Sequence, residues 1–464
     1  MSDRLLAVLK HMTIHSDFFK IAKENCADAF RDTLPARPDT VFIDGQVKLM
    51  KSSTVDLWPV FFRMQFYKTI ESCYDMGADT VVLGFDDYNH VPVSKTMTQV
   101  KRAKQKVDYE FAHSSSLPSK MPEDWGSAMA NRTFKVKVIL KVLEVTKQWF
   151  ESMLATNPAY RDRKLVLDYS GVPTLLKLVS PASARNNLDE YIKQHDWTPK
   201  QGTVGRGECD IKAFRWMPVS RCLCIVSTDG DYLPLSLLQT SRQQGDSTQK
   251  CNIILHRMTT QLPVTSASKR KFLDEGSVKP TKRTYEFVDV ESVCKWIRRE
   301  FPSKVNDPVV QYCALVALCG CDFARNLPRL GPRTLWVLRH RIQNTNLLDV
   351  HQAVCALSIG YLHVFVKKNT LPVGMSNTAD WYTSTSLEQA VGIYDNVFTR
   401  IHNDQRISPR IKIQLWTGKG VTAHVRNALW TMHYWMLLEH CPDPHSDDFG
   451  YVRDAKGRTH FATV

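Results

Sequence analysis

A chain of 464 residues has room for two ordinary domains or one large one with insertions, and 43% hydrophobic residues are enough to build a core. The net charge of +14 makes a polyanion the natural partner, because phosphate contacts release condensed counterions. No run approaches the roughly 18–20 apolar residues of a membrane span, and MSDRLLAVLKHMTIHSDFFK is too broken by charge for a secretory signal. The expectation is a soluble intracellular protein, not secreted, with no membrane partner. The twelve cysteines include no CxxC pair. Cys222/Cys224 and Cys319/Cys321 lie in apolar surroundings and read as reduced, buried thiols rather than zinc ligands.

In chain order, the apolar spacing of residues 3–35 predicts helices, which Pro35 and Pro38 end. TVFID (40–44) reads as a buried strand ending on Asp44, residues 54–76 as helical, and DTVVLGFDD (79–87) as a second strand ending on Asp86 and Asp87. The basic stretch 94–113 is predicted helical, followed by a polar interval at 114–132. A helix over 134–154 precedes a third strand, RKLVLDYS (163–170). CLCIVS (222–227) is the fourth strand and CNIILH (251–256) the fifth. Strands alternating with helices predict an α/β fold around a mostly parallel sheet, with its ligand site off the carboxyl ends of the strands.

Those ends are acidic. Asp44 and Asp86 close two strands, and STDGDYL places Asp229 and Asp231 just beyond a fourth-strand run. The Asp-Gly-Asp pattern fits a turn, since Asp-Gly is a common turn pair, or a cation held between two like charges. Further on, SASKRKFLDEGSVKPTKRTYEF (266–287) is polar and basic and reads as an exposed linker. Its clusters Lys269–Lys271 and Lys279–Arg283 fit a bipartite nuclear import signal, a phosphate-binding loop or a solvated linker. His90 and His256 belong to no HxH or HExxH pattern and are expected to be structural. Residues 346–464 are expected to form a helical extension, with Trp430, Tyr434 and Trp435 at helical spacing serving as core rather than as a base-stacking platform.

In QYCALVALCGCDFARNLPRLGPRTLWVLR (311–339) an apolar helix runs to Leu318. Asp322 follows, then a loop containing Pro328, Gly331 and Pro332, and a second helix from about Arg333. Exposed backbone N–H groups in such a loop favour a phosphodiester without regard to base sequence. The segment GCDFARNLPRLGPRT resembles the helix–three-turn–helix element of the flap endonuclease/XPG family of structure-specific 5′ nucleases. VFIDGQ, LGFDD, GECDIKAF and STDGDYL then resemble, in order, that family's acidic elements.

The resemblance implies a PIN-like, FEN-like nuclease core over residues 1–265, with a helical arch at about 94–132. It implies a linker at 266–284, the helix–three-turn–helix part at 285–345 and the C-terminal extension at 346–464. Asp44, Asp86, Glu208, Asp210 and Asp229 would serve a first Mg²⁺, and Asp231 and Asp322 a second, with Mn²⁺ able to substitute. Lys95 and Arg102 would act on the scissile phosphate from the base of the arch. Lys101, Lys104, Lys106, Gly331 and Arg333 would contact nucleic acid. The implied activity is hydrolysis of branched or flapped DNA in replication, recombination or repair, in the nucleus or otherwise in the cytoplasm, alongside viral or host replication proteins.

The chain also departs from the family pattern. It begins MSDRLL rather than Met-Gly-Ile, has Asp210 where the family has Glu, carries a long insertion between Asp231 and Asp322, and shows no QxxLxxFF-like clamp-binding peptide. In these respects it resembles divergent members encoded by large DNA viruses. An RNA-directed endoribonuclease of the same fold and a catalytically inactive nucleic-acid-binding scaffold remain the alternatives.

Overall fold

A computed structural model describes residues 14–50, 57–86, 117–169, 174–176, 207–243, 250–260, 283–301, 303–320, 336, 339–340, 342–358, 386–412, 415–438, 451–453 and 459–461. Its centre is an eight-stranded sheet. The strands are β1 (Phe30–Arg31), β2 (Thr40–Asp44), β3 (Thr80–Gly84), β4 (Lys164–Asp168), β5 (Thr174–Leu176), β6 (Cys222–Val226), β7 (Asn252–Thr260) and β8 (Arg283–Asp289). Their order is β1-β8-β7-β6-β2-β3-β4-β5. The inner strands β7-β6-β2-β3-β4 are mutually parallel, and the outer pairings of β1, β8 and β5 are antiparallel.

The parallel strands are short aliphatic runs covered on both faces, as parallel sheets require. Alternation along each strand divides them. Val41, Ile43, Val81, Leu83, Cys224 and Val226 face one apolar cluster, and Phe42, Val82, Leu223 and Ile225 face the other. The helices in chain order are α1 (Ile14–Asn25), α2 (Gly45–Met50), α3 (Trp58–Phe62), α4 (Lys68–Asp75), α5 (Trp125–Ala130) and α6 (Arg132–Thr156). They continue with α7 (Cys209–Phe214), α8 (Tyr232–Arg242), α9 (Val290–Glu300), α10 (Pro308–Leu318), α11 (Leu387–Asn403) and α12 (Gly418–Leu437). Helices α3 to α6 supply the first cluster, and α1 together with α7 to α12 the second.

From β2 the chain moves outward through β3 to β4, whereas β6 lies on the other side of β2 and β7 beyond it. The direction of winding therefore reverses between β2 and β6. In open α/β sheets the crevice at that reversal, off the carboxyl ends, is where ligands bind. Asp44 ends β2 there, and Ser227 to Asp231 follow β6 there.

Several elements differ from the sequence expectation. Of the helical stretch expected over 3–35, residues 14–35 are described: they form α1 and a short 3-10 turn at Ala27–Ala29, and the chain then enters β1. Pairing of Phe30 with Val288 and edge packing of Phe19 on Phe30 at 5.3 Å override the local helical spacing. The polar interval at 114–132 contains α5, capped by Asp124 on the Ser127 amide. The indole of Trp125 is buried and donates to the Leu49 carbonyl at 2.8 Å, so this part of the expected arch region is packed onto the body. β8 begins at Arg283, within the last residues of the expected linker, and joins the main sheet beside β7. The C-terminal extension is helical in α11 and α12, and also carries a short hairpin, β9 (Tyr451–Arg453) with β10 (Thr459–Phe461).

The aromatic stripe of α12 is core: Trp430 and Trp435 are fully buried and Tyr434 nearly so. Its last carbonyls, which a helix leaves without internal donors, accept side-chain bonds from the body. Gln239 donates to Trp435 O at 2.9 Å, Arg215 to Leu438 O at 3.0 Å, and Arg242 to Met436 O. All described cysteines are free thiols, most of them buried. Among the described residues no helix is long and apolar enough to cross a membrane.

Candidate functional site

Asp44 is the last residue of β2, 4% exposed, and Gly45 after it opens α2. A Cβ at Gly45 would lie 2.7 Å from the Gly84 carbonyl and 2.6 Å from the Phe85 ring, so only glycine lets the ends of β2 and β3 approach this closely. That approach brings Asp86, two residues beyond β3, toward Asp44. The Asp44 carboxyl accepts from the Val47 amide at 3.2 Å, the Ser227 hydroxyl at 3.0 Å and the Tyr232 hydroxyl at 3.4 Å. Burial first, then the charges of Asp86 and Asp229, push this carboxyl up to about 7. The same burial, with Asp44, Asp210 and Asp229 among the neighbouring charges, holds the Tyr232 phenol well above its ordinary range.

Helix α7 delivers the next acids. Glu208 is its N-terminal flanking residue and Asp210 stands in its first turn, both buried. The Cys209 amide donates to Asp86 Oδ1 at 2.9 Å, which locks the start of α7 against the end of β3. Beyond β6, the Asp229 amide donates to Ser227 Oγ at 3.1 Å and Asp229 Oδ1 accepts from the Asp231 amide at 3.2 Å. The turn reading of Asp-Gly-Asp is thus realised, while Asp229 also bears electrostatically on Asp44. Arg257, within β7, donates to the Thr228 carbonyl at 3.1 Å, with its guanidinium 3.8 Å over the Phe19 ring.

Asp44, Asp86 and Asp229 therefore approach one another at the carboxyl ends of β2, β3 and β6, with Asp231 on the same loop as Asp229 and with Glu208 and Asp210 flanking the Cys209 amide that bonds Asp86. Asp87, Lys95, Lys101, Arg102, Lys104, Lys106, Asp322, Gly331 and Arg333 lie outside the described residues, as does most of the basic segment 269–283. His256 is buried and stacked on Phe287 at 4.5 Å, a structural position. Burial, then the Lys48 charge, lowers its pKa to about 4.

The donor set suits a hard divalent cation, which takes carboxylate oxygen. Among the described residues no three His, Cys, Asp or Glu side chains stand in a ready-made ligand cluster. The described partners of Asp44 and Asp86 are neutral hydroxyl and amide donors.

Two residues escaped the sequence reading. Asp168 ends β4, the third strand to close on an acid, and Lys212 lies on α7 one turn after Glu208. Lys212 Nζ is 3.0 Å from Asp168 Oδ1, and their side chains are 0% and 3% exposed. The acid at the end of LVLD was a visible signal; its partner, 44 residues away, was not.

No protein-family model matches the chain, and no curated protein matches it significantly. The family resemblance rests on the residues quoted from the sequence.

Proposed function

We propose that the protein is a Mg²⁺-dependent structure-specific 5′ nuclease of the flap endonuclease/XPG type, hydrolysing phosphodiester bonds in branched or flapped DNA. The observation that supports this most is the approach of Asp44, Asp86 and Asp229 from three separate strand ends at the reversal point of the sheet, with the start of α7 bonded to Asp86. One buried acid there fits many roles. A carboxyl pushed up to about 7 by burial and then by two neighbouring carboxylates is costly to ionise unless a cation joins it.

Asp44, Asp86, Glu208, Asp210 and Asp229 would hold one ion, and Asp231 with Asp322 would hold a second. When bound, the ions would polarise the phosphodiester and acidify a water for attack. Ser227 and Tyr232 orient the Asp44 carboxyl through their hydroxyls, and the Cys209 amide orients Asp86. Lys95 and Arg102 are proposed to steer the scissile phosphate and balance its developing charge. Lys101, Lys104, Lys106, Gly331 and Arg333 are proposed to grip the nucleic-acid backbone. The net charge of +14 supports a polyanionic substrate, and the two basic clusters at 269–283 support nuclear import.

The test incubates purified protein with Mg²⁺ and labelled flap, nicked and single-stranded DNA and RNA. Flap or junction cleavage that Asp229→Ala abolishes, with DNA binding retained, is the expected result. Cleavage of RNA alone would move the assignment to an endoribonuclease. Binding without cleavage of any substrate would leave a scaffold.

A further inference from the structure

We infer that Lys212 and Asp168 are positioning residues, a buried ion pair that clamps the acidic helix α7 onto the ends of β3 and β4; the inference rests on the metal-centre reading above. The Lys212 ammonium donates to the Phe85 carbonyl at 2.8 Å as well as to Asp168 at 3.0 Å. Phe85 immediately precedes Asp86, and its own amide donates to the Asp168 carbonyl at 2.9 Å. One side chain thus ties together α7, which carries Glu208 and Asp210, the backbone beside Asp86, and the carboxyl end of β4.

A buried ammonium is expensive unless it is paired and hydrogen-bonded, and an apolar residue would fill the same space at no such cost. What the lysine adds is a fixed position for α7. Cys209 brings the start of α7, with Glu208 and Asp210 on either side of it, to Asp86, and gathering buried acids at the strand ends is unfavourable by itself. The apolar contacts of Ile211, Ala213 and Phe214 hold the helix down without fixing its position along the sheet. The Cys209 amide and the Lys212 ammonium fix that position at two points, three residues apart on the same helix.

The experiment uses full-length protein without DNA and reads two quantities: the thermal midpoint of the metal-free protein and its affinity for Mn²⁺. Lys212→Met alone leaves Asp168 buried and unpaired, so the midpoint falls by several degrees. In Lys212→Met/Asp168→Leu the charges are gone together and the midpoint recovers. Mn²⁺ binding in that variant stays roughly 10–100-fold weaker than wild type, the range for residues that orient metal ligands. Should it fail to fold, Lys212→Gln/Asp168→Asn, close in shape and neutral, gives the same two readings. Wild-type Mn²⁺ affinity in a folded charge-free variant would overturn the inference and leave the pair as packing alone. Absence of Mn²⁺ binding by wild type would overturn the metal-centre reading itself and this inference with it, before any variant is made.

Discussion

At the amino ends of the parallel strands, the half-buried Asp39 and the exposed Asp79 meet positive or backbone partners. Asp39 accepts from the Arg221 and Cys222 amides at 2.9 Å each, with the Arg221 side chain 3.7 Å away. Asp79 lies 3.7 Å from both Arg37 and Arg163. At the carboxyl ends of the same two strands, Asp44 and Asp86 are buried and bonded to hydroxyls and amides, and Lys212 is paired with Asp168. The contrast separates acids that meet arginine side chains and amides at the amino ends from two acids that accept from hydroxyls and amides at the carboxyl ends. Burial makes the Asp44 carboxylate unfavourable by itself, and the cation proposed above would relieve that cost.

The largest effect expected from breaking this contrast is on turnover. Asp44→Asn should lower Mg²⁺-dependent cleavage by roughly 10³-fold or more, the order lost when a preorganised charged group is removed from a reacting centre. Asp39→Ala and Asp79→Ala should leave cleavage at wild-type level. Steady-state rates on a flap substrate decide both.

The next effect is on the pH dependence of the metal-free protein. Asp44 has a raised folded pKa, so the folded state holds the extra proton, and stability is lost as pH rises from about 4 to about 7. The shift corresponds to a few kcal/mol at about 1.4 kcal/mol per unit. His256 has a lowered folded pKa, so its contribution is lost as pH falls from 6.5 toward about 4. The two oppose each other between those values. In Asp44→Asn the first is gone, and urea midpoints measured from pH 7 to pH 4 should fall steadily. A flat profile in that variant would show that His256 is not held neutral by its surroundings.

The smallest effects are at the amino ends. Asp39→Ala removes the acceptor of two backbone amides and should cost about 1–2 kcal/mol of unfolding free energy. Asp79→Ala breaks two long, exposed ion pairs and should cost no more than about 0.5 kcal/mol in the same titration. Equal losses would mean that the Arg37 and Arg163 contacts do more than screened surface pairs.

Much of this arrangement is legible in the chain itself. TVFID and DTVVLGFDD announce both a buried strand and the acid that ends it, because a run of aliphatic residues stops where the chain meets the crevice. CLCIVSTDGD does the same for β6 and its loop. Neither β1 nor β8 was legible. The first is too short to show alternation and exists through its pairing with the second, more than 250 residues away. The Lys212–Asp168 pair was hidden for the same reason: GECDIKAF shows a lysine on a short helix, and nothing local says that it points inward. The burial of Trp430 and Trp435 followed from helical spacing alone, whereas the side chains that receive the end of α12 come from α7 and α8 and leave no trace in its own sequence.

The cluster that covers one face of the sheet runs from Phe18 in α1 to Trp435 in α12. During synthesis, Leu223, Ile225, Ile253 and Leu255 leave the ribosome well before the helix that completes their cover. For that interval a nascent chain offers an open aliphatic surface, the kind of surface that drives aggregation and recruits chaperones. The cover of this face is therefore expected to close only after α12 has been translated.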